Sequence, residues 1–525
     1  MFGRITKVFL ILILLFSSVS WGQEKARENE KVLALTLDDA ILRTLKNNYG
    51  VAIQILGPEI ADLAIARAKE KFLPSLGFGY NIRSNETPSY SFLDSAGTTI
   101  TDYHDYDTSI SQLIPTGGTL TASLVSYKNK NNSNFQTVNP RYGSTLRFDF
   151  RQPLLRDFGV KMTRIDIITS QNNYDIAEND LEKTIMNVVY TVESAYWNLA
   201  YSIENLKVRQ QALQLAQDLL AKNERAVEVG TLAPIEIVSA QAEVATRQAD
   251  IISAQAEVKS NEDLLRTIIN LPEEEMKLAL PIKPLDTPRY ETKEVNLDEA
   301  LAAAMQNRPE LKSLKIGLEN QNLNVSYAKN QLLPSLNLTA SYYSPGISGD
   351  QIIYEGGNPI IGKRIGVIPG PPSDALKDAL GLKYNNWAVG FTLDIPLNTM
   401  FSRAALAQAK LNLEQAQLQL KNQEQLIYLE IRDGVRSVRS NYERVQAYKV
   451  ARELAEKKLQ AEEEKLKVGL STNFNVLTYQ RDLSTARISE LRAIVDYTLS
   501  LANVEKAMGT GLKAKNINIY QMTKK

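Results

Sequence analysis

Leu73-Pro74-Ser75-Leu76-Gly77-Phe78-Gly79-Tyr80-Asn81-Ile82 returns later in the chain as Leu333-Pro334-Ser335-Leu336-Asn337-Leu338-Thr339-Ala340-Ser341-Tyr342. In each copy the proline stops a helix, because it lacks an N–H and pushes the preceding residue toward extended geometry. Large apolar residues then alternate with small or polar ones, which is the period of a strand with two unlike faces. A helix-to-strand switch therefore occurs twice in this chain.

Working outward, the match extends upstream at the same offset. Leu37-Asp38-Asp39-Ala40 recurs as Leu297-Asp298-Glu299-Ala300, Asn47 as Asn307, and Ala68-Lys69 as Ala328-Lys329. Downstream a second, shorter offset holds. Arg164 matches Arg403, Val229-Gly230 matches Val468-Gly469, and Gln241 matches Gln480. Two offsets in register on either side of one variable segment identify an internal duplication. The change of offset falls between Leu76 and Arg164, so the middle of each half tolerates insertion.

Each half reads in one order. Asp38 or Asp298 opens a short helix in its first turn. A second helix runs to the proline, and the strand follows. A return strand comes back as Leu146, Phe148 and Phe150 in half one, and as Trp387, Val389, Phe391, Leu393 and Ile395 in half two. Pro153 and Pro396 close these strands. Half one holds two further strand-like stretches, 106–114 and 120–127, joined by Pro115-Thr116-Gly117-Gly118. They form an extracellular extension or enlarge a barrel; the pattern leaves both open.

Long helices follow. Tyr174, Ala177, Leu181, Ile185, Val188, Val192, Ala195 and Leu199 recur three or four apart, and Leu413, Ala416, Leu420, Ile427, Ile431, Val438 and Val445 form the matching series. Each run predicts a helix of roughly 100 Å, which implies coiled-coil packing. Glycine at Val229-Gly230-Thr231 and Val468-Gly469-Leu470 suits a helix C-terminus and marks a turn back. Ile237, Val244, Ile251, Val258 and Leu265 then return at seven-residue spacing. These stripes are core packing and not a ligand site.

Composition narrows the chemistry. Lys+Arg and Asp+Glu are equal at 60 each, which argues against a nucleic-acid binder. Cysteine is absent and His104 is the only histidine. No catalytic, cofactor-binding or metal-binding constellation is expected. His104, between Asp102 and Asp105, reads as a solvated loop residue. The near phosphate-loop pattern at Gly357–Arg364 lacks the strand-to-helix context that such a loop needs. Glu462-Glu463-Glu464 reads as a charged, exposed helical turn.

The N-terminus has the three-region pattern of an export signal: Arg4 and Lys7, an apolar run from Val8 to Phe16, then Ser17, Ser18, Ser20 and Gly22. No later apolar run approaches bilayer-spanning length. Strands with apolar outward faces cross a bilayer only as a closed barrel, and the smallest barrels need about eight strands. With two clear strands per half, about four per chain, one copy cannot enclose a lumen, so several copies pool their strands.

The paired Leu-Pro-Ser-Leu segments, the Gln152-Pro153-Leu154-Leu155-Arg156-Asp157-Phe158-Gly159 stretch, and the two Val-Gly tips followed by Gln241 and Gln480 resemble the TolC-like outer-membrane efflux proteins. The resemblance covers nearly the whole chain after the leader. It implies a mainly α fold with a membrane β portion: two repeats, each a β-hairpin plus long coiled-coil-like helices. It implies a homotrimer with a 12-stranded β-barrel continued by a periplasmic α-helical barrel. It also implies a passive channel of a tripartite efflux or type I secretion system, with no enzymatic activity and no cofactor. The implied partners are outer-membrane lipid, an inner-membrane transporter, and a periplasmic adaptor at Val229, Gly230, Thr231, Val468, Gly469 and Leu470. The alternative is a non-conducting envelope scaffold or adhesin. Members of that family carry acidic residues just past the second tip; here Asn475 and Thr478 stand there, and Glu236 holds the equivalent place in half one. These three are the candidate constriction positions.

The expected organisation is a signal peptide at 1–22 and an extension at 23–35, then repeat 1 at 36–271. Repeat 1 divides into helices 36–72, a β region 75–151, and a hairpin 159–270 with its tip near 229–232. A linker at 272–295 leads to repeat 2 at 296–509. Repeat 2 divides into helices 297–332, a β region 335–395, and a hairpin 400–508 with its tip near 468–471. A tail occupies 510–525.

Overall fold

Residues 32–89, 97–133, 135–273, 280–288 and 290–518 are described by the computed structural model. The expected signal peptide at 1–22 lies outside these residues, as do most of the 23–35 extension and the end of the tail.

Strand β1 (Leu33–Leu35) leads into α1 (Leu37–Asn47). Thr36 caps α1 reciprocally: its hydroxyl accepts from the Asp39 N–H (3.1 Å), and the Asp39 carboxylate accepts from Thr36. Asn48 caps α2 (Tyr49–Glu70), which ends just before Pro74. Four strands follow, β2 (Ser75–Pro88), β3 (Thr98–Leu113), β4 (Thr119–Asn131) and β5 (Val138–Pro153). After a single turn α3 (Val160–Thr163) comes the long helix α4 (Ile165–Glu228), then the return helix α5 (Ile235–Ile269) and strand β6 (Ile282–Pro284).

Half two repeats the plan with α6 (Leu297–Asn307), α7 (Pro309–Asn330) and β7 (Ser335–Tyr354). A short strand β8 (Arg364–Ile368), helix α8 (Pro372–Leu380) and β9 (Asn386–Asp394) complete its β region. Helix α9 (Met400–Lys467) and its return helix α10 (Asn473–Ala507) precede α11 (Gly511–Ala514).

The duplication is visible in hydrogen bonds as well as in sequence. Asn48 donates through Nδ2 to the Ile268 carbonyl (3.0 Å), and its counterpart Arg308 donates through Nη1 to the Ala507 carbonyl (3.1 Å). Asn270 and Gly509, equivalent positions past the two return helices, both have positive φ. Each contact seats the break between the two short helices against the end of the return helix.

At 64 and 68 residues, α4 and α9 each reach about 100 Å. Such lengths need a packed face along the whole helix. Short helix and return helix share that task, α2 and α5 along α4, α7 and α10 along α9. Leu181, Ile185, Val192, Tyr196 and Leu199 are buried together with Leu35, Ala40, Leu265 and Ile269 in the main core. Burying one such side chain contributes about 1.5–3 kcal/mol. Strands β1 and β6 pair in parallel beside this core and tie the chain entry to the link between the halves. Tyr196 fastens that corner: its hydroxyl donates to Asp286 (2.8 Å), whose carboxylate also accepts from the Leu37 N–H (2.7 Å). The C-terminal segment belongs to the same core, with Leu512 buried and Lys515 paired to Glu193 (2.9 Å).

Helix α2 is the one helix among the described residues long and apolar enough to cross a membrane. This departs from the expectation that no apolar run after the leader approaches bilayer-spanning length; Glu59 and Asp62 stand within the helix. It packs along α4, and its other face leaves Tyr49, Ile53, Leu56, Ile60 and Leu63 exposed. Their spacing alternates four and three, the pattern of coiled-coil knobs.

The β region departs from two strands per half. Among the described residues, one sheet runs β2-β3-β4-β5-β7, with β9 and the short β8 along the far side of β7. Half one supplies four strands because 106–127 belongs to two full strands, each paired on both sides. The expected count of two strands per half is therefore too low for half one: among the described residues six long strands are present in the sheet. His104 is also corrected from a loop to a strand position; it lies in β3 opposite Ile82, with Nδ1 3.1 Å from the Tyr80 hydroxyl. The Gly357–Arg364 stretch leads into β8 and no helix opens there.

Candidate functional site

The sheet has two chemically distinct faces, and the register shows how they arise. Directly opposed residues of antiparallel strands share a face. One row crosses all six long strands as Leu76, Ile110, Ala122, Phe148, Tyr342 and Trp387. The same face carries Phe78, Tyr80, Ile82, Leu120, Leu124, Leu146, Phe150, Leu336, Leu338, Val389, Phe391 and Leu393. The neighbouring row on the opposite face reads Gly77, Ser109, Ser123, Arg147, Tyr343 and Asn386. Asp105, Asp107, Asp149, Arg151, Asn337 and Thr339 lie on that polar side too.

Among the described residues, nothing covers most of the apolar face. Phe78, Trp387 and Phe391 are 76%, 74% and 68% exposed. An apolar expanse of this size needs an apolar environment. Further from the helices the face turns to small residues, Ser144, Ser344 and Gly346, and α8 closes over them. A Cβ on Gly346 would lie 2.0 Å from the Ala375 carbonyl oxygen.

Sheet and helices are joined by a built corner. Gln152 accepts from the Thr116 hydroxyl (2.7 Å) and donates back to the Thr116 carbonyl (3.0 Å). The Gly159 N–H reaches the same carbonyl (3.1 Å), and Asn330 Oδ1 accepts from the Asp157 N–H (2.8 Å). Gly117 has φ +94, and a Cβ there would sit 2.6 Å from the Asp157 oxygen. The Gln152–Gly159 stretch thus locks the β3–β4 turn and the β5 exit to the helical domain.

At the other end of the helices the two tips are built alike. Gly230 and Gly469 take φ +80 and +76. The Thr231 N–H bonds the Ala226 carbonyl (2.9 Å), and the Leu470 N–H bonds the Lys465 carbonyl (2.9 Å). Satisfying orphan carbonyls through a left-handed glycine is a helix-ending motif. Val229, Val468 and Leu470 are 73%, 69% and 77% exposed, beside exposed Ile235 and Phe474.

The three constriction positions lie in the first turns of the return helices. Glu236 opens α5, and its carbonyl accepts from Asn223 (3.4 Å). The Asn475 N–H bonds Thr472, and the Thr478 hydroxyl is occupied by the Phe474 carbonyl (2.8 Å). No hydrogen bond joins Glu236 to Asn475 or Thr478 among the described residues. Two features escaped the sequence reading. Glu462 is not part of an exposed turn: it is buried and accepts from the Ser471 hydroxyl (2.6 Å) and Lys465 (3.1 Å). Those bonds, Ser471 first, hold its pKa below the ordinary value, with Asn475 adding to them. Glu243, also buried, binds Arg247 on its own helix and Arg481 on α10. In sequence each is one acid among many on a charged helix; only the fold-back of the tips distinguishes them.

A family model described as outer membrane efflux protein matches residues 119–271 and 300–510. Outer membrane protein TolC of Vibrio cholerae is 25% identical over 350 residues, covering 66% of this chain and 73% of that protein. Outer membrane efflux protein BepC of Brucella suis is 23% identical over 509 residues, 95% of this chain and 89% of that one. The fold is similar to the crystal structure of the Campylobacter jejuni CmeC outer membrane channel, with a TM-score of 0.63 at 17% identity over 93% of this chain and 89% of that chain. It is similar also to the open-state Neisseria gonorrhoeae MtrE outer membrane channel, with a TM-score of 0.60 at 18% identity over 91% and 89%.

Proposed function

Because the chain belongs to the outer membrane efflux protein family, we propose that it is the outer-membrane channel of a tripartite efflux or type I secretion system. It is a passive homotrimeric duct and not an enzyme. The 36–271 and 296–509 repeats each supply part of the membrane wall and part of the periplasmic tunnel, and the leader at 1–22 directs export.

The observation that carries this reading is the two-faced sheet mounted on one end of a helical domain about 100 Å long. The apolar face turns to lipid and the polar face lines water, as closed membrane barrels require. The unpartnered knobs of α2 supply a surface for a neighbouring copy, which supports pooling of strands. At the far end, the exposed apolar residues around Gly230 and Gly469 form the surface for a periplasmic adaptor linked to an inner-membrane transporter. Glu236, Asn475 and Thr478 ring the periplasmic mouth in this reading.

Planar-bilayer recording of the purified protein tests the duct. Discrete conductance steps are expected. A detergent-soluble oligomer that inserts but never conducts would favour a non-conducting scaffold instead.

A further inference from the structure

Strands β3 and β4 decide how wide the barrel is. An extension beyond the membrane would start where β2 and β5 end. Instead the turn joining β3 to β4 is fixed at the helical end of the sheet. Gln152, at the base of β5, exchanges two hydrogen bonds with Thr116 in that turn, and Gln112 Nε2 lies 3.4 Å from the Phe72 carbonyl where α2 ends. The hairpin therefore starts level with its neighbours. Its 16 and 13 residues exceed the roughly 9–11 that cross a bilayer.

Its chemistry matches the wall on both sides. Ile110 and Ala122 continue the apolar row between Leu76 and Phe148, while Ser109 and Ser123 continue the polar row. A hairpin lying outside the membrane would have no cause to keep this alternation in register with a lipid-facing sheet.

The edges also fit closure. Among the described residues β2 pairs only with β3, and β9 only with β7. β2 leaves the helical domain and β9 returns to it, so β9 of one copy meets β2 of the next antiparallel, like every other pair in the sheet. The stagger agrees. Ser75, the first residue of β2, is level with Ala388, six residues short of the end of β9 at Asp394. Six residues over five pairings correspond to a strand tilt of about 40°, within the range of membrane barrels.

We propose that three copies close a single 18-stranded barrel, each giving β2, β3, β4, β5, β7 and β9, with β9 of one copy paired to β2 of the next. This rests on the reading of the chain as a trimeric channel. The backbone diameter is then roughly 36 Å, against about 24 Å for twelve strands at the same tilt.

Cryo-electron microscopy of the full chain in lipid nanodiscs tests it. A threefold particle with 18 strands in the wall is expected. A threefold particle with twelve strands and residues 98–131 outside the bilayer overturns this inference while leaving the channel reading intact. A particle with no threefold barrel removes both. Thiol labelling gives a second measure, unobscured because the chain has no cysteine. Ser123→Cys should react with a water-soluble maleimide at least tenfold faster than Leu124→Cys in folded protein. Equal rates overturn the placement of β4 in the wall.

Discussion

Arg481 on α10 grips Glu243 on α5, its Nε 3.1 Å from each carboxylate oxygen, and so joins the return helix of one half to that of the other. Glu243 is only 3% exposed, and Arg247 holds it from the same helix at 2.8 Å. Burial alone would raise its pKa; the two arginines outweigh that and hold the carboxyl below its ordinary value.

Removing this clamp should loosen the two hairpins near their tips. Arg481 is more than half exposed and Arg247 remains, so Arg481→Ala should cost only about 1 kcal/mol. The local effect should exceed the global one. Spin labels at the exposed tip positions Val229 and Val468 should give a broader distance distribution in Arg481→Ala than in the parent. An unchanged distribution would rule out the clamp as a tip fastener.

Acid should release the second tip. The Glu462 pKa lies below its ordinary 4.5, so its stabilising contribution is complete above that value and fades as pH falls through the lower folded value. Glu462→Gln should mimic the acid state at neutral pH. Protection against hydrogen exchange across 466–476, taken relative to the intrinsic rate at each pH, should then fall in the variant and lose the acid-side decline seen in the parent. Equal exchange in both proteins at neutral pH would contradict the latch.

Tyr196 should govern stability on the alkaline side. Burial raises its pKa from 10.0 to about 12, so its contribution is complete below pH 10 and declines as pH rises through the folded value. Tyr196→Phe should cost about 1–3 kcal/mol, since the Asp286 N–H loses its acceptor and the Asp286 carboxylate a donor. It should also flatten the alkaline limb of the stability curve. Denaturant unfolding at two pH values checks both effects.

The two sheet faces should respond oppositely to charge. Phe148→Arg places a cation on the apolar face and should cost about 2–4 kcal/mol on folding into lipid vesicles if it lies near the bilayer midplane. Ser341→Arg, on the polar face one residue along the adjoining strand, should cost well under half as much. Folded fractions read from gel mobility would decide, and equal losses would deny the assignment of faces.

Much of this fold was legible in the sequence because its punctuation is local. Pro74 and Pro334 end helices wherever they stand, and glycine at 230 and 469 ends them by left-handed geometry. Period-two alternation exposed the strands, including the additional hairpin. The position of that hairpin was not legible. Pro115-Thr116-Gly117-Gly118 describes a tight turn at either end of a sheet, and only the Thr116–Gln152 bonds fix which end. The tip latch was hidden for a related reason. Glu462 stands in a run of three glutamates, and Ser471, which selects it, is brought back only by the turn at Gly469. His104 misled because its flanking aspartates look like loop composition, although Asp105 faces the polar side of a strand and Asp102, opposite Ser84, shares the face of His104 near the strand's far end.

The bare knobs of α2 also bear on how the molecule comes into being. In the proposed homotrimer, a chain not yet assembled leaves Ile53, Leu56, Ile60 and Leu63 wetted, so its lifetime in that form depends on how soon it meets another. Where the last stage of folding is an encounter between chains, mass action makes stability a function of expression level, and dilution acts as a denaturant.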